Sequence, residues 1–477
     1  MKYILSLFLG STVLVACLQL DDVCHENTVA CGLGCADIQN DVRHCGACGT
    51  TCASMQECIA GACQCIAGTT LCKGTCVALA YNARHCGSCG NSCPQPQVCR
   101  QGMCQQSCIS TLCAKGQSCR AGVCAHEAVA ACHATGHIRG FSSHAESPGP
   151  LVAFGMKPSA LAHYRSLILG AENETTQLFQ AMPDSSGNLK QVSHQPILNT
   201  GAKHILAAAP HLYVTNADTH ALQVLKESDS TSDSGDGGVS FEAVNELHLG
   251  ASTYPQGIAR IEDTLWIPAH GEAHAGAMVV KVSIANPKQP VEVARIDLHA
   301  QQAPSAIAVH HNAVYVTLHN APDEATAPGL LARVELATEK VTIINLATPP
   351  CPNPVWLAPV GEYLAISCSG STAQQTAPAA ASTISLVLLD AAEKQIAAWS
   401  GTCPMPGNAS CVPMAPSRFA VVGQRILLGD RRAGRVAVLE VVDGGFQEIR
   451  GAGQAFTLCP KDTQTGTAIV SDVLAIP

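Results

Sequence analysis

Charge is scarce in this chain of 477 residues: Asp, Glu, Lys and Arg together make up 13%, and the formal net charge is −9. Nucleic-acid binding needs clustered Lys and Arg to neutralise phosphates, so a broad basic face is excluded. Aromatic residues, at 4%, are too few for base-stacking platforms. No glycine-rich phosphate loop follows a predicted strand, and neither a Gly-x-Ser-x-Gly elbow nor a His-Glu-x-x-His helix occurs. No cofactor is therefore expected. Two things are abundant. Hydrophobic residues reach 47%, which excludes wholesale disorder, and there are 27 Cys, far more than a cytosolic enzyme of this size usually carries. The length leaves room for two or three domains.

The N-terminus reads as an address. One positive charge, Lys2, precedes an apolar run from Ile4 to Ala16. That pattern matches a secretory signal peptide, and the run is shorter than the roughly 20 residues a spanning helix needs. Leu14-Val15-Ala16-Cys17 resembles the lipobox of bacterial lipoproteins, in which cleavage precedes the Cys and its sulfur receives diacylglycerol. An ordinary cleavage site is the competing reading, but Leu14 fits badly where such a site wants a small residue. Lipidation is therefore expected at Cys17, giving stable anchorage through several acyl chains. Leu18 rather than Asp after the Cys resembles signals for the outer membrane. The expected location is the cell envelope, lipid-anchored, on the periplasmic or the outer surface.

A repeat follows. Cys24, Cys31, Cys35, Cys45, Cys48, Cys52, Cys58 and Cys63 recur with an offset of 41 at Cys65, Cys72, Cys76, Cys86, Cys89, Cys93, Cys99 and Cys104. A truncated copy adds Cys108, Cys113, Cys119 and Cys124. A unit of 41 residues with almost no Leu, Ile or Phe cannot bury enough apolar surface to fold alone. Disulfides can replace that core, at about 2–4 kcal/mol each, and the export signal places the chain where they persist. Eight Cys allow many pairings, so the connectivity is open. Zinc is the rival reading, from the spacing of Cys45 with Cys48 and of Cys86 with Cys89. The even count and the oxidising address weigh against it. A haem site would need His after the Cys-x-x-Cys pair, whereas His44 and His85 precede theirs.

The run Cys-Gly-x-Cys-Gly-x-x-Cys, followed by Cys-x-x-Gly-x-Cys, resembles the repeats of the plant stigma-specific protein family. Similar repeats occur in lipoproteins of myxobacteria and their relatives. The resemblance spans about residues 24–125 and implies an extracellular module without a known catalytic activity.

Beyond Cys124 the composition changes. Residues 126–149 read as a linker, and a weaker repeat then begins. Pro158-Ser-Ala-Leu-Ala162, Pro255-Gln-Gly-Ile-Ala259, Pro304-Ser-Ala-Ile-Ala308, Pro354-Val-Trp-Leu-Ala358 and Pro416-Ser-Arg-Phe-Ala420 share one opening motif, with Lys203-His-Ile-Leu-Ala207 as a copy lacking Pro. Each is followed by a second apolar run, such as Leu212-Tyr-Val-Thr-Asn216, and an alternating third, such as Val279-Val-Lys-Val-Ser-Ile284. Strands at this period suggest four-stranded blades, which must stack radially to cover their faces. The expected fold class is all-β: a propeller of about seven blades preceded by small disulfide-rich repeats. The seventh blade is expected around Ala455–Leu458 and Ala468–Val470, with Leu151–Phe154 closing the ring. The motifs resemble the YVTN-type β-propeller repeats of secreted bacterial proteins. A β-sandwich is the alternative all-β fold.

The expected organisation is a lipoprotein signal peptide over 1–16, a tether over 17–23, repeats over 24–64 and 65–107, a half repeat over 108–125, a linker over 126–149 and a propeller over 150–477. The remaining Cys suggest three pairs: Cys351 with Cys368, Cys403 with Cys411 and, by elimination, Cys132 with Cys459.

Sixteen of nineteen His lie between His126 and His319. If their loops share a propeller face, His270, His274 and His319 would be weak candidates for a metal, although no carboxylate partner can be assigned. The acidic run Glu227–Gly238 does not match a calcium loop. Thr372–Ala381 reads as a flexible insertion, and Asn173-Glu-Thr175 is a glycosylation sequon. These features point to an envelope lipoprotein that binds a protein, glycan or other envelope component through its propeller, on a rigid disulfide-rich stalk, with no nucleic acid involved. The alternative is a metal-dependent propeller enzyme of hydrolase or lactonase type. A third reading gives adhesion to the repeats and makes the propeller a spacer.

Overall fold

The computed structural model describes residues 24–476 apart from 25–27, 32–33, 95–96, 106–112, 114–116, 121–122, 143–147, 155–156, 173, 185–187, 229–237, 273–275, 320–328, 348–349, 370–383, 402–413, 451–454 and 464–467. Cys17, the signal peptide over 1–16, the tether over 17–23, Cys108, the Cys403–Cys411 pair, His274, Asn173, most of the acidic run and the whole Thr372–Ala381 insertion lie outside the described residues. The chain divides into two compact units, one ending at Gln105 and the other beginning at Gln106. No α-helix occurs among the described residues.

The first unit consists of short hairpins tied by disulfides. Cys24–Cys35, Cys31–Cys48, Cys45–Cys58 and Cys52–Cys63 are bonded, and the second copy repeats the order as Cys65–Cys76, Cys72–Cys89, Cys86–Cys99 and Cys93–Cys104. The sulfurs are themselves the core: Cys86, Cys93 and Cys99 form the buried cluster of the second repeat. Sequence repetition extends to the backbone. Gly46 (φ +75°) and Gly87 (φ +73°) lie against the Gly61 and Gly102 carbonyls, where any Cβ would overlap the carbonyl oxygen. Only glycine meets both demands. The His before each Cys-x-x-Cys is structural: Nδ1 of His44 accepts the Gly49 N–H (3.0 Å) and Nδ1 of His85 the Gly90 N–H (2.9 Å). The half repeat belongs to the second unit, where Cys113–Cys124 keeps the 11-residue separation of Cys52–Cys63.

The second unit is a seven-bladed β-propeller. Blade 1 comprises Pro158–Tyr164, Leu167–Glu172, Gln177–Pro183 and Leu189–Pro196, in consecutive antiparallel order. Blade 2 opens at Ala202, blade 3 at Tyr254, blade 4 at Ala303, blade 5 at Pro354 and blade 6 at Pro416. Burial peaks at the second strand of each blade and falls toward the outer edge. The second strand, as in Leu167–Glu172, is buried throughout, because a neighbouring blade covers each face. The fourth, as in Val291–Asp297, alternates toward solvent. This explains why the second runs read as continuous Leu, Ile and Val while the outer ones read as alternation.

Three expectations change. Residues 126–149 are not a linker: Ala128–Cys132 and His137–Phe141 are strands of blade 7, with Leu151–Ala153 beside them. The inner strand of that blade comes from the C-terminus, Val470–Ala475, pairing with Ala128–Cys132. The run Ala128-Val-Ala-Ala-Cys132 is buried at every position, an apolar signal overshadowed by the flanking Gly, Ser and Pro. Phe456–Thr457 pairs with Arg435–Val442 and so belongs to blade 6, not to the closing blade. In blade 2, Ala202 rather than Lys203 occupies the Pro position: it faces Asn216 as Pro158 faces Glu172, with the irregularity following in both.

Cys132 is bonded to Cys459 across 327 residues, and Cys351 to Cys368 within blade 5. Each blade seam also carries polar latches. Tyr164 donates to Glu227 (2.7 Å), Asn245 to the Lys288 carbonyl (3.1 Å), Tyr315 to Glu393 (3.0 Å) and the Trp399 indole to Glu448 (2.6 Å). Lys281 pairs with Glu339, and Arg425 with the buried Glu127 at 2.5 Å. The Leu161 N–H donates to Asp472 (2.8 Å), closing blade 7 onto blade 1.

Candidate binding site at the opening of the inner strands

Each inner strand begins with the opening residue and breaks register just after it, in blade 1 between Pro158 and Ala160 and in blade 5 between Pro354 and Trp356. Bulges re-aim side chains, and here they recur around one end of the ring. Counted from Pro158, Ala202, Pro255, Pro304, Pro354, Pro416 and Val470, the position two residues on is Ala160, His204, Gly257, Ala306, Trp356, Arg418 and Asp472 in blades 1 to 7. Three blades present Ala or Gly there. The other four present an imidazole, an indole, a guanidinium and a carboxylate.

Those four meet. Arg418 Nη1 donates to Asp472 at 3.2 Å, and Nη2 donates to the Lys203 carbonyl of blade 2 at 3.0 Å. The guanidinium lies over the Trp356 ring, 4.8 Å from its centroid, a cation–π contact. The His204 ring is 5.9 Å from the same indole. One arginine thus touches blades 2, 5 and 7 from blade 6.

The electrostatics follow from burial. Asp472 is 5% exposed, and desolvation pushes its carboxyl up, against the pull of Arg418 and of the Leu161 and Val473 N–H groups. Burial, helped by the Arg418 charge, pushes His204 down to about 3, so its ring is neutral at pH 7. Burial lowers the Lys203 ammonium, with Asp218 opposing and Arg418 reinforcing the shift. Arg431, an exposed side chain just after the second strand of blade 6, is lowered by partial desolvation and by Arg418. Among the described residues, neither the Lys203 ammonium nor the Arg431 guanidinium makes a hydrogen bond or ion pair. The His204 Nδ1 is likewise buried without a hydrogen-bond partner.

The His candidates from sequence sit differently. His270 and His319 end the second strands of blades 3 and 4. His270 is held locally, its Nδ1 against the Gly271 carbonyl (2.8 Å) and its ring stacked on Tyr254 at 5.1 Å, with His220 edge-on to that Tyr. His310 ends the inner strand of blade 4 and His311 begins the turn after it, with His310 Nε2 against the Glu362 carbonyl (3.2 Å). Among the described residues, the only groups of three ligand atoms within 4.8 Å are Cys45, Cys52, Cys63 and Cys86, Cys93, Cys104. Every one of these sulfurs is already in a disulfide. A bonded sulfur offers no thiolate for zinc.

Sequence reasoning missed Lys203, His204, Trp356, Arg418 and Asp472. For Trp356 and Arg418 the signal was inside the repeat itself: they stand two residues after Pro, where other copies carry Ala or Gly. Asp472 lies in a strand that bears no opening motif.

Fold and repeats together define the class: a seven-bladed propeller with a disulfide-rich N-terminal region. The family model described as the stigma-specific STIG1-like protein family matches residues 62–107. Among solved structures, a putative 6-phosphogluconolactonase from Bacteroides fragilis superposes with a TM-score of 0.51 at 11% identity, covering 73% of this chain and 97% of its own. Another from Bacteroides uniformis gives a TM-score of 0.51 at 12% identity, covering 73% and 98%. At such identities the likeness concerns the propeller fold alone. No curated protein matches the chain.

Proposed function

We propose that this chain is a bacterial cell-envelope lipoprotein, anchored through Cys17, whose propeller binds an envelope component at the end where its inner strands open. The observation that carries the reading is the convergence of His204, Trp356, Arg418 and Asp472, from four blades, on one hub. Structural interiors place apolar residues at such positions, as blades 1, 3 and 4 do with Ala160, Gly257 and Ala306. A buried ion pair with an arginine stacked on an indole is a costly core but a suitable recognition surface. The repeats, lacking an apolar core, serve as the covalently braced segment between anchor and propeller.

Two measurements test this. Cys17→Ser should abolish labelling by radioactive palmitate in the producing bacterium; undiminished labelling refutes the anchor. The soluble Cys17→Ser protein should co-sediment with isolated envelopes, and Trp356→Ala added to it should weaken retention. Retention that ignores Trp356 would move the binding surface elsewhere.

A further inference from the structure

Exposed apolar side chains are concentrated at the start of the described chain. Val29, Val42, Met55, Ile59 and Ile66 are each 37–44% exposed, whereas among the described residues the whole second unit exposes six large apolar side chains, from Leu151 to Val442. Three of the five belong to one hairpin, in which Gln56–Ile59 pairs with Ala62–Cys65. Ile59 faces Ala62 at its tip, and at its open end the Ile66 N–H donates to the Met55 carbonyl (3.0 Å). Between them Glu57 faces Gln64. Alternation turns Cys58 inward and leaves Glu57, Ile59, Ala62 and Gln64 exposed. The bridges Cys45–Cys58 and Cys52–Cys63 occupy the interior, so the apolar side chains have no core to turn into. The second repeat has the same order of bridges but carries Arg100 and Ser107 in place of Ile59 and Ile66. Its own exposed apolar residues, Leu71 and Tyr81, stand where the first copy has Ala30 and Asn40. Contiguous exposed apolar surface marks a place of contact with a protein or a membrane.

Chain length selects the membrane. Cys24 opens the first repeat and is bonded to Cys35. Seven residue steps separate Cys24 from Cys17, a reach of at most about 25 Å. Acyl chains on Cys17 would hold this repeat, of all parts of the chain, beside the lipid surface. We infer that the hairpin of the first repeat lies against that surface, with Ile59 and Ile66 at the boundary between headgroups and acyl chains and Glu57 and Gln64 among the headgroups. The inference rests on the anchor at Cys17 and names a second contact beyond it. Arg43 is the one Lys or Arg between Cys24 and Gln64, so attraction to anionic headgroups does not drive the contact. It is an apolar contact of the shallow kind made by amphipathic elements that lie on a membrane without crossing it. Its effect is to hold the repeat on the surface instead of leaving it free at the end of the tether.

The test uses the full-length protein from the producing bacterium, reconstituted into vesicles of phosphatidylethanolamine and phosphatidylglycerol whose acyl chains are brominated near the headgroup. Bromine quenches tryptophan only at close range. The parent has three Trp, whose emission is the background to subtract. In Ile59→Trp the added emission should fall by about half on the brominated vesicles, as a shallow contact requires, and equally at low and high NaCl. Arg100→Trp, at the matching position of the second repeat, should lose little. A free-thiol count checks that the bridges have formed; where Ile59→Trp fails it, Ile66→Trp gives the same reading. Emission at residue 59 or 66 that bromine leaves unchanged, or quenching equal to that at residue 100, would overturn the inference. Emission that is blue-shifted yet unquenched would put a protein on this face, a second copy or another partner, and would overturn it too. Flotation of the vesicles reports the anchor separately. Protein that floats with an unquenched residue 59 loses the contact and keeps the anchor, whereas protein that does not float loses both.

Discussion

In the second cysteine-rich repeat the buried residues are Cys86, Cys93 and Cys99; in the second strand of blade 5 they are Leu364, Ala365 and Ile366. The first region is short of apolar side chains and is held by four covalent bridges per copy. The second buries strand after strand, at about 1.5–3 kcal/mol for each large aliphatic side chain, and needs few bridges. Where the propeller does use disulfides they reinforce weak points: Cys132–Cys459 joins chain segments 327 residues apart at the closing blade. The difference teaches where function can reside. A covalent lattice of small loops offers few buried polar groups, whereas a ring of blades brings residues from distant parts of the sequence to one axis.

The comparison can be broken at several points. The largest effect is expected from Cys132→Ser/Cys459→Ser, which frees a very long loop; loss of about 2–5 kcal/mol in denaturant unfolding should exceed the loss for Cys351→Ser/Cys368→Ser, whose loop separation is only 17. Equal losses would mean that strand pairing alone secures closure. Next, Gly87→Ala should destabilise the second repeat by about 1–3 kcal/mol and leave propeller melting untouched, since a Cβ there meets the Gly102 carbonyl. Limited proteolysis around residues 65–105 would read it. Tyr315→Phe removes one latch, leaving Glu393 to Arg333 alone, and should cost about 1 kcal/mol.

The last effect concerns pH. His204 takes up a proton only near pH 3 when folded but near its ordinary value of 6.5 when unfolded. Between those limits the unfolded chain binds more protons, so stability falls as the pH drops below 6.5, by up to about 1.4 kcal/mol per unit from this group. His204→Asn should flatten that part of the melting profile. An unchanged slope would assign the pH dependence to other groups.

Much of the architecture was legible because both regions repeat. The offset of 41 marked the cysteine-rich copies, and Pro-led motifs marked the blades. Connectivity was not legible, because it depends on which sulfurs the hairpins bring together. The closing blade was misread because its strands come from opposite ends of the chain, and Ala128–Cys132 sits beside turn-forming residues. The binding site was half visible. Trp356 and Arg418 stand out against Ala and Gly in equivalent copies, yet their meeting with Lys203 and Asp472 is a consequence of ring closure. The His-rich stretch drew attention through composition, but His270 has a Tyr254 stack and a local carbonyl as its neighbours.

The central contrast, covalent support in one unit and packed support in the other, is tested most directly by hydrogen exchange on the whole protein with and without reductant. On reduction, amide protection should vanish across residues 28–105, while the second strands of blades 1 to 6 remain protected. Protection lost together in both units, or retained in the repeats after all bridges are reduced, would contradict it.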